Sequence, residues 1–203
     1  MLSLSDTHAQ PLKRFNAFRY NVNEGLLQST IYDLAFDGNN YCWISFPNGV
    51  QKFDGRKFYS VPMQEHLPDD KFVLFFPCHN GDMLMTHSKG ISRYAIQQDK
   101  ITTLYTFSNL QKIPPRIIGE ADSILYLYQE DGTLSGIHVV TGKLITERRG
   151  VLPEYTGRTS VPIAAKNIFD HHTVVLFKND LFRLNLKKFT VEKVSLPETV
   201  SWS

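Results

Sequence analysis

Cysteine is almost absent from the 203-residue chain, which holds only Cys42 and Cys78. That excludes a disulfide framework and any cysteine-based metal spacing. Long apolar runs are missing too. Phe72-Val73-Leu74-Phe75-Phe76 is about the longest, far short of the roughly 20 residues a helix needs to cross a bilayer. The start, Met1-Leu2-Ser3-Leu4-Ser5, has neither the basic nor the apolar region of a signal peptide, so an exported form is expected to have had its leader removed or replaced. Charge of one sign is scarce. The formal net charge is +2, and basic residues come in pairs, Lys13-Arg14 and Arg148-Arg149, rather than in a patch-forming series. Nucleic acid is therefore not expected as a partner, and neither is direct membrane contact. Helical periodicity is lacking, because no stretch longer than about two turns avoids Gly, Pro or an alternating pattern.

Enzyme signatures are missing as well. There is no Gly-x-Ser-x-Gly elbow, no phosphate-cradling Gly-rich loop and no His-Glu-x-x-His pair. His171 and His172 are adjacent, so in a strand or loop they point apart instead of gripping one metal. Asp69-Asp70 offers half of a carboxylate pair, with no second acid that the sequence places opposite it. The expectation is a protein with no catalytic residues, no metal and no cofactor.

What the chain does hold is 42% hydrophobic and 21% charged residues, ordinary values for a folded domain able to bury a core. Aromatics make up 12%, with 14 Phe and 9 Tyr, an enrichment that favours strands. A repeat organises them. Ile31 to Phe36, Tyr41 to Phe46, Val50 to Phe53 and Phe58 to Val61 read as four short strands. They are separated by Asp37-Gly38-Asn39-Asn40, Pro47-Asn48-Gly49 and Asp54-Gly55-Arg56-Lys57, turn sequences whose Asp-Gly and Asn-Gly pairs supply the positive φ of tight hairpins. The pattern is an antiparallel meander.

The unit returns. Lys89-Gly90-Ile91-Ser92-Arg93-Tyr94 matches Asn48 to Phe53 at an offset of 41 (90 minus 49), and Leu84 then stands where Trp43 stood. A third, weaker copy has Ile124 to Tyr128 before Asp131-Gly132, with its middle strand about a residue out of register. In the fourth, Asn179 to Leu184 lies 131 residues beyond Asn48 to Phe53 (179 minus 48). Four-stranded units recurring every 40–50 residues are the signature of β-propeller blades, which must stack to bury their faces. A β-sandwich with coincidental turn spacing is the alternative. The expected organisation is a lead-in segment over 1–24 and blades over 25–66, 67–112, 113–156 and 157–203.

The first blade carries a family pattern. Gly25-Leu26-Leu27-Gln28-Ser29-Thr30-Ile31, Trp43-Ile44, Asn48-Gly49-Val50 and Phe53-Asp54-Gly55-Arg56-Lys57-Phe58 together resemble the two-component regulator propeller repeat. A blade of that family reads approximately G-L-x-x-x-x-V, a D-x-x-G turn, W-I-G-T, N-G-L and F-D-G-x-x-F. Here Ser45-Phe46 replaces Gly-Thr and Val50 replaces Leu, changes that a strand tolerates. The match is specific in the first blade and diffuse in the other three. The resemblance implies the periplasmic sensor propeller of a hybrid two-component histidine kinase/response regulator, with an oligosaccharide or other small molecule as ligand. It also implies that the lead-in can supply a closing strand of the last blade. Related sensors use about seven blades, so these residues are expected to be an incomplete propeller. Its partners would then be the rest of the propeller and a second copy in a homodimer. A protein-interaction scaffold and a polysaccharide-acting enzyme are the other functional classes considered.

In a propeller the turn between second and third strands and the connection to the next blade share one face, and function resides there. The polar loop residues expected on that face are His66, Asp69, Asp70, Arg116, Tyr155 and Arg158. Tyr155 beside Arg158 is the pairing most suited to a sugar, an aromatic platform next to a hydroxyl-binding guanidinium. Trp43 is expected to pack between blades rather than bind, because it sits mid-strand where the other units carry apolar residues.

Overall fold

The computed structural model describes residues 18–62, 67–68, 71–154, 163–164, 172–177 and 180–195. The first sheet holds β1 (Asp33–Phe36), β2 (Cys42–Phe46), β3 (Gly49–Phe53) and β4 (Phe58–Val61). The second holds β5 (Leu74–Pro77), β6 (Met83–His87), β7 (Gly90–Ala95) and β8 (Lys100–Thr106). The third holds β9 (Arg116–Ala121), β10 (Ile124–Tyr128), β11 (Leu134–His138) and β12 (Leu144–Arg148). The fourth holds β13 (Ile163–Ala164), β14 (His172–Phe177), β15 (Asp180–Asn185) and β16 (Thr190–Val194). Each sheet is an antiparallel meander in sequence order, so the architecture is the all-β propeller expected from the repeat.

Stacking explains the strand composition. β2 and β6 are buried along their whole length, because sheets cover both of their faces; such strands read as near-continuous apolar runs. Outer strands lack that cover, and β12 is largely exposed. Alternation sends successive side chains to opposite neighbours. Ala35, Trp43 and Val50 of the first sheet meet Phe75, Met83, Met85 and Tyr94 of the second. On the other side of the second sheet, Phe76, Leu84 and Ile91 meet Ile117, Leu125, Leu127 and Ile137 of the third. Ile118, Tyr126, Tyr128 and Leu134 then meet Val175, Phe177 and Leu184 of the fourth.

Turn chemistry follows the expectation in most places and departs from it in one. Asp37 Oδ1 accepts from the Asn39 and Tyr41 N–H groups, and Asp54 Oδ1 accepts from those of Arg56 and Lys57. Gly55 has the positive φ (94°) its turn requires, but in the Asp37–Asn40 turn the positive φ falls on Asn40 (63°) instead of Gly38. Gly38 is needed for a different reason. A Cβ there would lie 2.7 Å from the Gly81 Cα, and the Gly38 N–H donates to the Gly81 carbonyl at 3.0 Å. Two turns of adjacent blades are joined at that point. The register uncertainty in the third unit also has a structural origin, since its ladders shift at Tyr126/Leu127 and at Gly136/Ile137.

The described part of the lead-in lies on the face of the first sheet that points away from the second. A 3-10 turn, Val22–Glu24, is capped by Asn21 and ended by Gly25. Leu26 then packs on Cys42, Ile44 and Phe46, and Tyr20 sets its ring edge-on to Phe53 and Phe58. The buried Gln51 amide secures this cover. It accepts from the Leu27 N–H at 2.8 Å and donates to the Gly25 carbonyl at 3.1 Å. Toward β1 the cover ends, leaving Leu34 46% and Phe36 56% exposed beside Leu27 and Ile31. Cys42 and Cys78 are both free.

Candidate functional site

Among the described residues, two grooves lie between blades. The first opens on the loop face, between the second and third sheets, with a volume of about 450 Å³. Its walls come from the β8–β9 connection (Ser108, Asn109, Gln111), the β10–β11 turn (Gln129, Glu130, Asp131, Thr133), the end of β12 with its neighbour (Glu147, Arg149) and Glu154. The β10–β11 turn is tight because Gly132 adopts φ 78°. A Cβ on Gly132 would strike the Leu152 carbonyl at 2.3 Å, so the segment leading to Glu154 can close over the turn. Val151 and Leu152 N–H groups both donate to the Gly132 carbonyl, at 3.2 and 3.3 Å.

Beneath this groove the buried Ser135 hydroxyl ties two of the walls together. It accepts from Gln129 Nε2 at 2.8 Å and donates to Glu147 Oε2 at 3.4 Å. Gln129 and Glu147 are thereby held in place before any ligand arrives, which reduces the ordering cost of binding. A small extension of about 60 Å³ continues inward between Tyr105, Phe107, Leu127 and Leu144. The walls thus combine amides and carboxylates, which bind hydroxyls, with an aromatic recess. Among the described residues four carboxylates face one guanidinium, so these walls disfavour anions.

The second groove, about 570 Å³, runs along the outer rim between the first and second sheets, toward the opposite end of the strands. Its centre is Lys52 on β3. The ammonium stands 4.6 Å from the Tyr41 ring centre, 4.8 Å from that of Tyr94 and 5.5 Å from that of Trp43. It donates to the Tyr94 hydroxyl at 3.0 Å and pairs with Asp99 at 3.5 Å. Burial alone would pull the Lys52 ammonium down, but the Tyr94 hydroxyl and Asp99 outweigh it and hold the group above its ordinary value. Trp43 forms part of the wall and is nevertheless only 1% exposed. It packs between blades as its mid-strand position predicts.

Of the residues expected from the sequence to bind, Arg116 is described. It begins β9 opposite Tyr128, at the loop-face end of its sheet. It does not line the polar groove, and its Nε is buried with no hydrogen-bond partner among the described residues. His66, Asp69, Asp70, Tyr155 and Arg158 lie outside the described residues. The sequence reading missed Gln129, Ser135 and Glu147. Their one signal was the polar run Gln129-Glu130-Asp131 directly after the apolar strand Ile124 to Tyr128. Among the described residues, no group of three or more His, Cys, Asp and Glu is placed to hold a metal ion, and no helix is long and apolar enough to cross a membrane.

No family model matches the chain, and no curated protein matches it. Solved structures do. The extracellular domain assigned to hybrid two-component system BT3049 of B. thetaiotaomicron superposes with a TM-score of 0.65 at 14% identity, over 88% of this chain and 26% of that one. The one assigned to hybrid two-component system BT4673 of the same organism gives 0.57 at 21% identity, over 88% and 23%. The computationally designed Ika4 protein gives 0.52 at 15% identity, over 85% of this chain and 95% of its own. This likeness shows the fold. The chain spans about a quarter of each of the two extracellular domains it matches.

Proposed function

We propose that these residues form part of the extracytoplasmic, ligand-sensing propeller of a two-component signalling protein, and that the polar groove on the loop face receives a neutral oligosaccharide. The observation that carries this reading is the pinned pair Gln129 and Glu147, fixed through buried Ser135 under an open polar groove. Built sites of this kind, a few convergent polar groups in a concavity, are the default location of ligand binding. The resemblance of the first blade to sensor propellers and the likeness in fold to two extracellular domains support the sensing role. Arg116, His66, Asp69, Asp70, Tyr155 and Arg158 are proposed to extend the same site, Tyr155 being next in the chain after the groove residue Glu154. Binding acts by shifting the sensor between states for which the ligand has different affinity.

Calorimetric titration with cellohexaose, xylohexaose and mannohexaose tests the proposal. At least one is expected to bind, and the double substitution Gln111→Ala/Glu147→Ala to weaken it about tenfold or more, a loss of roughly 1.4 kcal/mol. Silence across the three sugars, or binding indifferent to the double substitution, overturns it.

A second feature bears on partners. Leu34 and Phe36 are exposed on the same face whose outer half is covered by Leu26 and Tyr20. We infer that a further blade packs there, in the way that the first three inter-sheet contacts are made. The 203-residue chain is expected to self-associate in sedimentation experiments and Leu34→Ser/Phe36→Ser to remain monomeric. A wild-type chain that stays monomeric at its highest soluble concentration would count against a closing blade.

A further inference from the structure

The rim groove around Lys52 has the opposite electrostatic character from the loop-face groove, and its walls are ordered without a ligand. Tyr59, 42% exposed on β4, is held in position by its hydroxyl, which donates to Asp54 Oδ2 at 3.0 Å. Tyr94 is fixed by donating to Asp99 Oδ1 at 2.6 Å. Of these two rings Tyr59 is the exposed one, set opposite Lys52 across the strands with the Lys57 ammonium 5.4 Å from its centre, and an oriented ring of this kind suits the C–H face of a pyranose. Among the described residues the cationic groups on the walls are Lys52 and Lys100, and the anionic one is Asp99. A cationic ligand is excluded because Lys52 already occupies the space over the rings.

The weak point of the arrangement is Asp99. Its side chain is 81% exposed, and it sits at φ 47° at the end of the β7–β8 turn. The Lys52 side chain is only 18% exposed, so the pair opens to solvent on its Asp99 side. A carboxylate arriving from solvent can therefore compete with Asp99 for Lys52 and gain Lys100 in addition, the Tyr94 hydroxyl staying on Asp99.

We propose that this rim groove is a second binding site, selective for a uronic acid residue, whose carboxylate pairs with Lys52 while its ring lies against Tyr59. The site is independent of the loop-face reading, since the two grooves share none of the described residues.

Titration with tetragalacturonate and with its fully methyl-esterified form tests it, the ester having the same rings without the charge. Tetragalacturonate is expected to bind, the ester to bind at least about tenfold more weakly, and Tyr59→Ala and Lys52→Met each to weaken the acid. Because Lys52→Met also removes a contact between blades, Asp99→Asn gives the separating result. It keeps an acceptor for the Tyr94 hydroxyl but removes the competing charge, so the acid should bind roughly threefold more tightly. Gln111→Ala/Glu147→Ala should leave this binding unchanged. No binding of the acid, equal binding of acid and ester, or an Asp99→Asn protein that binds no more tightly overturns the proposal.

Discussion

Replacing Trp43 with alanine is expected to destabilise the protein by about 4 kcal/mol, the scale of emptying a large aromatic site in a packed core. The indole is 1% exposed between the first two sheets, with ring centres 4.8 Å from Tyr94 and 6.2 Å from Phe75. Sheet faces cannot collapse freely into the resulting space, because their spacing is also set by the Gly38–Gly81 contact and by the Phe75 N–H donating to Asp33 Oδ2 at 2.7 Å. The substitution has a second cost. Trp43 Nε1 donates to Asp37 Oδ2 at 2.8 Å, and Asp37 is itself buried. Trp43→Phe separates the two contributions: it keeps most of the packing and loses the hydrogen bond, for a cost of about 1.5 kcal/mol. Urea denaturation followed by far-ultraviolet circular dichroism measures both. A Trp43→Ala protein with the wild-type midpoint would show that the indole is not a wedge between blades.

The same residue shows how far the sequence could be read. Its strand position was enough to place it in an inter-blade core, because period-2 alternation and the recurrence of apolar residues at offset 41 are local and regular. The offsets located β7 and β15 as equivalents of β3 for the same reason. In the third unit the bulges at Tyr126/Leu127 and Gly136/Ile137 insert residues that no fixed offset can follow. Gly38 was assigned to a turn conformation, although its constraint comes from a glycine 43 positions away in the next blade (81 minus 38). The grooves were less legible still. Gln129, Ser135 and Glu147 meet through side chains on three segments, and Lys52 meets Tyr94 only because two sheets stack. Alternation predicts which face a residue takes, but not which residue of the neighbouring sheet it will touch.

Asp82 carries the second large effect, and its removal tests how far a buried polar cluster within the second blade stabilises the fold. It lies just before β6, 4% exposed, in the turn whose Gly81 carbonyl accepts from Gly38. Its Oδ1 accepts from the Ile96 N–H at 3.0 Å, and its Oδ2 accepts from Asn80 Nδ2 at 2.9 Å and Arg93 Nε at 2.7 Å, with the Arg93 guanidinium also closing an ion pair. Burial on its own would raise the carboxyl, but the Ile96, Arg93 and Asn80 donors together with the Arg93 charge hold it below its ordinary value of 3.8. A carboxylate lowered in the folded state stabilises the fold fully above its unfolded value, and that contribution fades as pH falls toward the folded one. Asp82→Asn keeps the volume but gives up the charge and turns an acceptor toward Arg93 into a donor. It is expected to cost about 3 kcal/mol at neutral pH, within the range for breaking one half of a buried pair. The gap between wild type and Asp82→Asn should stay constant from neutral pH to about pH 5 and narrow once pH drops below about 4. Denaturation midpoints of the two proteins across that range decide it. A gap that does not change with pH would mean that the hydrogen-bonding pattern of the side chain matters there, and its charge does not.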